Sequence, residues 1–252
     1  MYNYQPITSC PNCWVQARPA VEVRVLELDL SSFAAVREAA DTILGWDGVP
    51  KIDVLVNNAG VIGVEWARSV DGFEMTFVVN HLGHFHFTNL IMSKFLASEA
   101  LRVVNVSSEG HRFNQIRWGD YNFHDGDTYN KWQAYGQTKI ANMSTPRLCI
   151  HHLSEHMNWW KERSAIQAVD AALGNVEDEV AFKSAKQGPA IHIFASFAPG
   201  LEVFQRIMAR ILTGCHVADP FTETVKPWGT SVVEAERLWQ LSEKLVGQEF
   251  AY

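Results

Sequence analysis

Tyr135 and Lys139 stand four residues apart in "AYGQTKIAN", residues 134–142. On a helix, that spacing places a phenol and an ammonium on one face. A free phenol titrates near pH ~10 and is a poor base at neutrality. An ammonium within about 4–6 Å favours the phenolate and lowers that value. A phenol tuned in this way can give a proton to a carbonyl oxygen or take one from an alcohol. The same spacing is common on solvated helix faces, so the elements that would position the pair have to decide what it does.

Those elements alternate. "VEVRVLELDL" (21–30) predicts a strand, and "SSFAAVREAADTIL" (31–44) a helix opened by a serine cap. "KIDVLVNNAG" (51–60) predicts a short branched strand stopped by Asn57, Asn58, Ala59 and Gly60. Residues 71–96 read as one long helix, "LRVVNVSS" (101–108) as a buried strand ending in polar residues, and 109–133 as an aromatic loop leading into the helix of Tyr135 and Lys139. The order is that of an α/β protein, a Rossmann-like doubly wound parallel sheet with helices on both faces. Ligands of such sheets bind beyond the carboxyl ends of the strands, where Asn57–Gly60 and Ser107–Ser108 fall. Residues 160–190 read as polar and helical without a strong strand, and "EAERLWQLSEKLVGQEF" (234–250) as an amphipathic closing helix. No repeat or linker divides residues 1–252, so one domain is expected.

Composition narrows the function. A chain of 252 residues with 47% hydrophobic and 19% charged residues can bury a core. A formal charge of −7, with no basic run, argues against a nucleic-acid surface. No stretch approaches the roughly 20 apolar residues of a membrane span, and "MYNYQPITSC" has no signal-peptide pattern. A cytoplasmic protein is expected. Cys10 and Cys13 lack a second CxxC, and His81, His84 and His86 lack partners at ligand spacing, so no metal site is expected.

Taken in order, "LVNNAG", "VNHLGHF", "VVNVSS" and "YGQTK" resemble the short-chain dehydrogenase/reductase family. The likeness is greatest to the branch of retinol dehydrogenases and their fungal relatives, over about 21–150 and again near 184–250. The resemblance implies NADP or NAD as cofactor, NADP ahead of NAD, and hydride transfer to or from a lipophilic ketone or alcohol. A homo-oligomer would be consistent with it. Tyr135 then matches the catalytic general acid/base, and Lys139 the lysine that binds the nicotinamide ribose and lowers the phenol's pKa. Ser108 matches the serine that orients the carbonyl, and Asn80 the asparagine of a water-linked proton relay. Asn57, Asn58, Ala59 and Gly60 match the turn beside the adenosine half of the cofactor, and Asp29 the aspartate at the adenine. By itself, Asp29 reads equally well as a cap for the helix that follows.

Three features depart from the family pattern. Residues 1–20 contain no glycine, and the family's first strand, glycine turn, helix and second strand need roughly 45 residues by ordinary element lengths. An N-terminally truncated version of the fold, with an atypical segment 1–20, is therefore expected. The first Pro-Gly after Lys139 is Pro199–Gly200, about twice as far on as the family's turn over the nicotinamide. "SAKQGPAIHIFASFAPGLE" is more similar to the later helix of this branch, so the turn is expected to be replaced by a divergent stretch at 160–183. Pro146 predicts a kink or early end of its helix. These departures keep two alternatives open: a non-catalytic scaffold or partner on the same fold, and a cofactor-independent isomerase or cyclase that reuses Tyr135.

Overall fold

The branched apolar run "RVVNVS" is buried on both sides, as the middle strand of a parallel sheet must be. The structure is a computed structural model that describes residues 22–99, 101–156, 165–170 and 231–251, and of residues 109, 145–156 and 165–170 the backbone only. Among these residues the sheet has three parallel strands: β1 (Val54–Asn57), β2 (Arg102–Ser107) and β3 (Ala165–Asp170), in that order. Val54 pairs with Arg102 and Asn57 with Asn105, while Arg102 pairs with Ala165 and Ser107 with Asp170. The sheet thus ends its strands on one side, at Asn57, Ser107 and Asp170.

Helix α1 (Phe33–Leu44) opens where Ser32 Oγ accepts from the Ala35 amide, and buries Phe33, Val36, Ala39 and Ala40. The expected helix over 71–96 is shorter and interrupted. It starts only at α2 (Met75–Phe77), because Glu74 caps it, its carboxylate accepting from the Thr76 and Phe77 amides at 2.8 Å each. Asp71 instead accepts from the Phe33 amide at 2.8 Å, closing the start of α1. A π-turn at Val78–Leu82 follows, then α3 (Gly83–Leu90) and, after Ile91, α4 (Met92–Leu96). Helix α5 (Lys131–His156) lies against β2 and β3, and α6 (Val232–Val246) against α5. Gly247, at φ 72°, ends α6.

Three other sequence expectations need correction. Residues 22–30 are not a strand: they have no neighbouring strand to bond among the described residues, although their alternation survives. Leu26, Leu28 and Leu30 turn to the core, whereas Val23 and Val25 are exposed. Residues 160–190 read as polar and helical without a strong strand, yet Ala165–Asp170 pairs with the whole of β2. Helix α5 runs on through Pro146. One missing donor in 26 residues leaves the rest of the ladder to hold the element. Residues 1–21, the start of the second stretch of family resemblance, and Pro199–Gly200 lie outside the described residues.

The main core gathers Leu30 and Phe33 with Phe77, Leu82, Phe85, Met92, Phe95 and Val103. The C-terminal segment closes it through Trp239 and Phe250, whose rings meet Phe85 edge-on at 4.9 and 5.8 Å. Gly83 permits the crossing of α3 under residue 30, since a Cβ there would stand 2.5 Å from the Leu30 carbonyl oxygen.

Candidate active site

The carboxyl end of β2 and the first turns of α5 meet at one point. Tyr135 is 9% exposed and Lys139 is 5% exposed, so both lie inside the protein rather than on a solvated face. Lys139 Nζ sits 5.3 Å from the centre of the Tyr135 ring and donates to the Val106 carbonyl of β2 at 3.1 Å. Asn142 Nδ2 donates to the same carbonyl at 3.0 Å, and Ser107 Oγ donates to the Lys139 carbonyl at 2.8 Å. Strand and helix are therefore stitched together at the lysine.

Ser108 caps the 3₁₀ turn Glu109–Arg112, its Oγ accepting from the Gly110 amide at 3.1 Å. That bond leaves the hydroxyl proton available to a second acceptor. Gly110 is packed flat against the phenol: a Cβ on it would lie 2.5 Å from Tyr135 Cε1. Gly136 repeats the device from the helix side, since its Cβ would meet the Asn114 amide nitrogen at 2.8 Å and the Gly110 carbonyl at 3.0 Å. Two glycines thus let α5 settle onto the turn that carries Ser108.

Asn80, fully buried in the π-turn, holds the loop after β1. Its Oδ1 accepts from the Val61 amide at 2.7 Å, and its Nδ2 donates to the Val61 carbonyl at 2.9 Å and to Thr138 Oγ1 at 3.2 Å. The side chain of the expected relay asparagine thus clamps Val61 through both the N–H and the C=O of that residue. The Asn80 backbone carbonyl accepts from His84 Nδ1 at 3.2 Å, which fixes that ring's proton on Nδ1. Burial, with the neighbouring Lys139 charge, lowers His84 to about 4 and keeps it neutral.

The other expected residues divide between roles. Asn57 directs its side chain inward, Nδ2 donating to Thr88 Oγ1 at 3.0 Å and to Asn105 Oδ1 at 2.7 Å, and so joins β1, β2 and α3. Asn58, Ala59 and Gly60 are exposed at the end of β1, with Gly60 so close to Asn80 that a Cβ would reach Oδ1 at 2.9 Å. Asp29 is exposed and accepts from Ser31 through Oδ1, at 2.8 Å from the amide and 2.7 Å from the hydroxyl. It shapes the entry to α1, while Ser32 makes the cap itself. Thr138, Gly110, Gly136 and Asn142 were not singled out by the sequence, although Thr138 is adjacent to Lys139; Ser107 was placed at the carboxyl end of its strand but given no role. Among the described residues no cluster of His, Cys, Asp or Glu could hold a metal ion, and no helix is long and apolar enough to cross a membrane.

A model of the short chain dehydrogenase family matches residues 11–122. Retinol dehydrogenase 14 of Mus musculus is 30% identical over 242 residues, covering 88% of this chain and 67% of the mouse protein. Retinol dehydrogenase 11 of Homo sapiens is also 30% identical over 242 residues, covering 90% of this chain and 70% of its own. Among solved structures, an uncharacterized protein from Mycobacterium paratuberculosis has a TM-score of 0.66 at 31% identity, over 94% of this chain and 80% of its own.

Proposed function

The chain belongs to the short-chain dehydrogenase family, is similar to its retinol dehydrogenases and is an oxidoreductase, and from that premise we propose that it moves hydride between NAD(P) and a lipophilic alcohol or ketone. The observation that carries this reading is the buried Tyr135–Lys139 pair, with the ammonium 5.3 Å from the ring centre. In water such a charge would be screened; inside the protein it acts on the phenol at a lower effective dielectric. Tyr135 is the general acid for carbonyl reduction and the general base for alcohol oxidation. Ser108 donates a hydrogen bond from its hydroxyl to the same substrate oxygen. Lys139, steadied by the Val106 carbonyl, favours the phenolate when Tyr135 gives up its proton.

The residues present fit a nicotinamide nucleotide at its reactive end. Asn58, Ala59 and Gly60 present open backbone at the end of β1, and Gly60 has no side chain to block approach beside Asn80. These residues would lie beside the adenosine half of the cofactor, Lys139 and Tyr135 would hold the nicotinamide ribose, and Asp29 would meet the adenine. When bound, the nucleotide supplies or takes up the hydride, which no side chain can do. NADP is placed ahead of NAD.

For the substrate, the lipophilic reading is supported by exposed apolar side chains, of which Phe113 lies with the Tyr135 ring at Gly110. Phe113 and Trp132 meet edge-on at 6.3 Å and are 36% and 49% exposed, and Ile62 is 46% exposed in the loop that Asn80 holds. The first test is a fluorescence titration of the folded chain with NADPH and then NADH. Micromolar binding by the wild type and by Tyr135→Phe is expected. No binding of either nucleotide would remove the redox reading and leave the non-catalytic alternative.

A further inference from the structure

The two halves of the site come from chain segments far apart, and one hydroxyl joins them. Thr138 is fully buried, three residues beyond Tyr135 on α5. Its Oγ1 donates to the Tyr135 carbonyl at 2.7 Å, an ordinary back-bond for a threonine in a helix. The second bond is not local: the same oxygen accepts from Asn80 Nδ2 at 3.2 Å, across 58 residues of sequence. Asn80 in turn grips Val61 by both its N–H and its C=O. The chain of contacts therefore runs from the turn bearing the phenol, through Thr138 and Asn80, to the loop that follows Asn58–Gly60.

We propose that Thr138 is a positioning residue, whose hydroxyl ties the Tyr135 turn of α5 to the Val61 loop and so keeps the proton-transfer group and the nucleotide-facing loop at one distance. The proposal rests on the oxidoreductase reading, because only a reaction between those two halves needs that distance held. The inventory of donors makes the hydroxyl hard to replace. Both N–H groups of the Asn80 amide are engaged, one with the Val61 carbonyl and one with Thr138. A methyl in place of the hydroxyl strands the second N–H where Asn80 is fully buried. Asn80 must then turn to find another acceptor, and in turning it releases Val61.

Thr138→Val keeps the volume and removes the bond; Thr138→Ser keeps the bond and removes a methyl. In the full chain, Thr138→Val is expected to lower kcat by about 10–100-fold, the scale of a small misplacement of reacting groups. The KM for the nucleotide is expected to stay within about twofold, because Thr138 bonds Asn80 and the Tyr135 carbonyl and sets a distance between reacting groups. Thr138→Ser should restore kcat. Amide hydrogen exchange of Val61 supplies a readout that does not require turnover: faster in Thr138→Val, near wild type in Thr138→Ser. Thr138→Ala serves in both measurements if the valine does not fold. Unchanged kcat in a variant with a lowered melting temperature would overturn the proposal, as would unchanged exchange at Val61. If the wild-type chain binds no nicotinamide nucleotide, the oxidoreductase reading falls and the positioning role falls with it, whereas exchange at Val61 still reports whether the tie exists.

Discussion

Gly110 has no room for a side chain. An added methyl would stand 2.5 Å from Cε1 and 2.8 Å from Cδ1 of Tyr135, closer than real Cβ contacts come. Gly110→Ala is therefore expected to push the phenol away from Ser108 and reduce turnover by about 10²-fold, the usual effect of a displacement near 1 Å. Nucleotide affinity should stay near wild type, and steady-state kinetics with a nucleotide titration check both. Turnover at the wild-type rate would mean that the ring is not held by this turn. Such a residue is illegible in the sequence, because its constraint comes from a tyrosine 25 positions later. The motif residues themselves were legible: the structure brings Ser108, Tyr135, Lys139 and Asn80 to one place. Asn57 was legible only in part. Its position at the end of β1 was readable, but its inward hydrogen bonds to Thr88 and Asn105 depend on β2 and α3.

At the scale of elements, periodicity found what packing dictates. The apolar runs of β1 and β2 and the spaced apolar residues of α1 and α6 fall within a few residues of their expected positions. It failed where partners decide. "VEVRVLELDL" alternates like a strand, but alternation specifies a face, and pairing requires a neighbour. "AIQAVD", by contrast, has too short an apolar pattern to stand out in a polar stretch and becomes β3 because β2 offers it a full register. The aromatic loop was legible as a loop, but not its path. Phe123, His124, Asp125 and Gly126 take four consecutive positive φ values, rare for residues with side chains. Phe123 is fully buried there under the Arg117 guanidinium, which lies 4.3 Å above its ring.

Among the described residues, a buried polar contact joins α6 to the π-turn of Val78–Leu82, far apart in sequence. Ser242 donates to the Leu238 carbonyl at 2.8 Å, so the 2.9 Å contact with His81 requires Nε2 of the histidine to donate. Burial lowers His81 to about 3, and lowers His84 and His86 to about 4. All three rings are neutral in the fold, while in the unfolded chain they titrate near ~6.5. Between about pH 6.5 and 4 the unfolded chain binds the extra protons. The contribution of these rings is thus complete above pH 6.5 and is lost as the pH falls, by at most ~1.4 kcal/mol per pH unit for each histidine. Urea midpoints from pH 8 to 4.5 should be level above about pH 7 and drop below it, and His81→Leu should flatten the drop. A midpoint constant between pH 7 and 5 would contradict neutral buried rings. The most direct test of the function itself is transfer of label. The folded chain is incubated with NADPH dideuterated at C4 and a panel of apolar ketones, and the products are read by mass spectrometry. An alcohol carrying one deuterium on its carbinol carbon is expected, formed about 10²–10⁴-fold more slowly by Tyr135→Phe. Absence of labelled alcohol from the wild type, or equal rates from the two proteins, would contradict hydride transfer with Tyr135 as its acid/base.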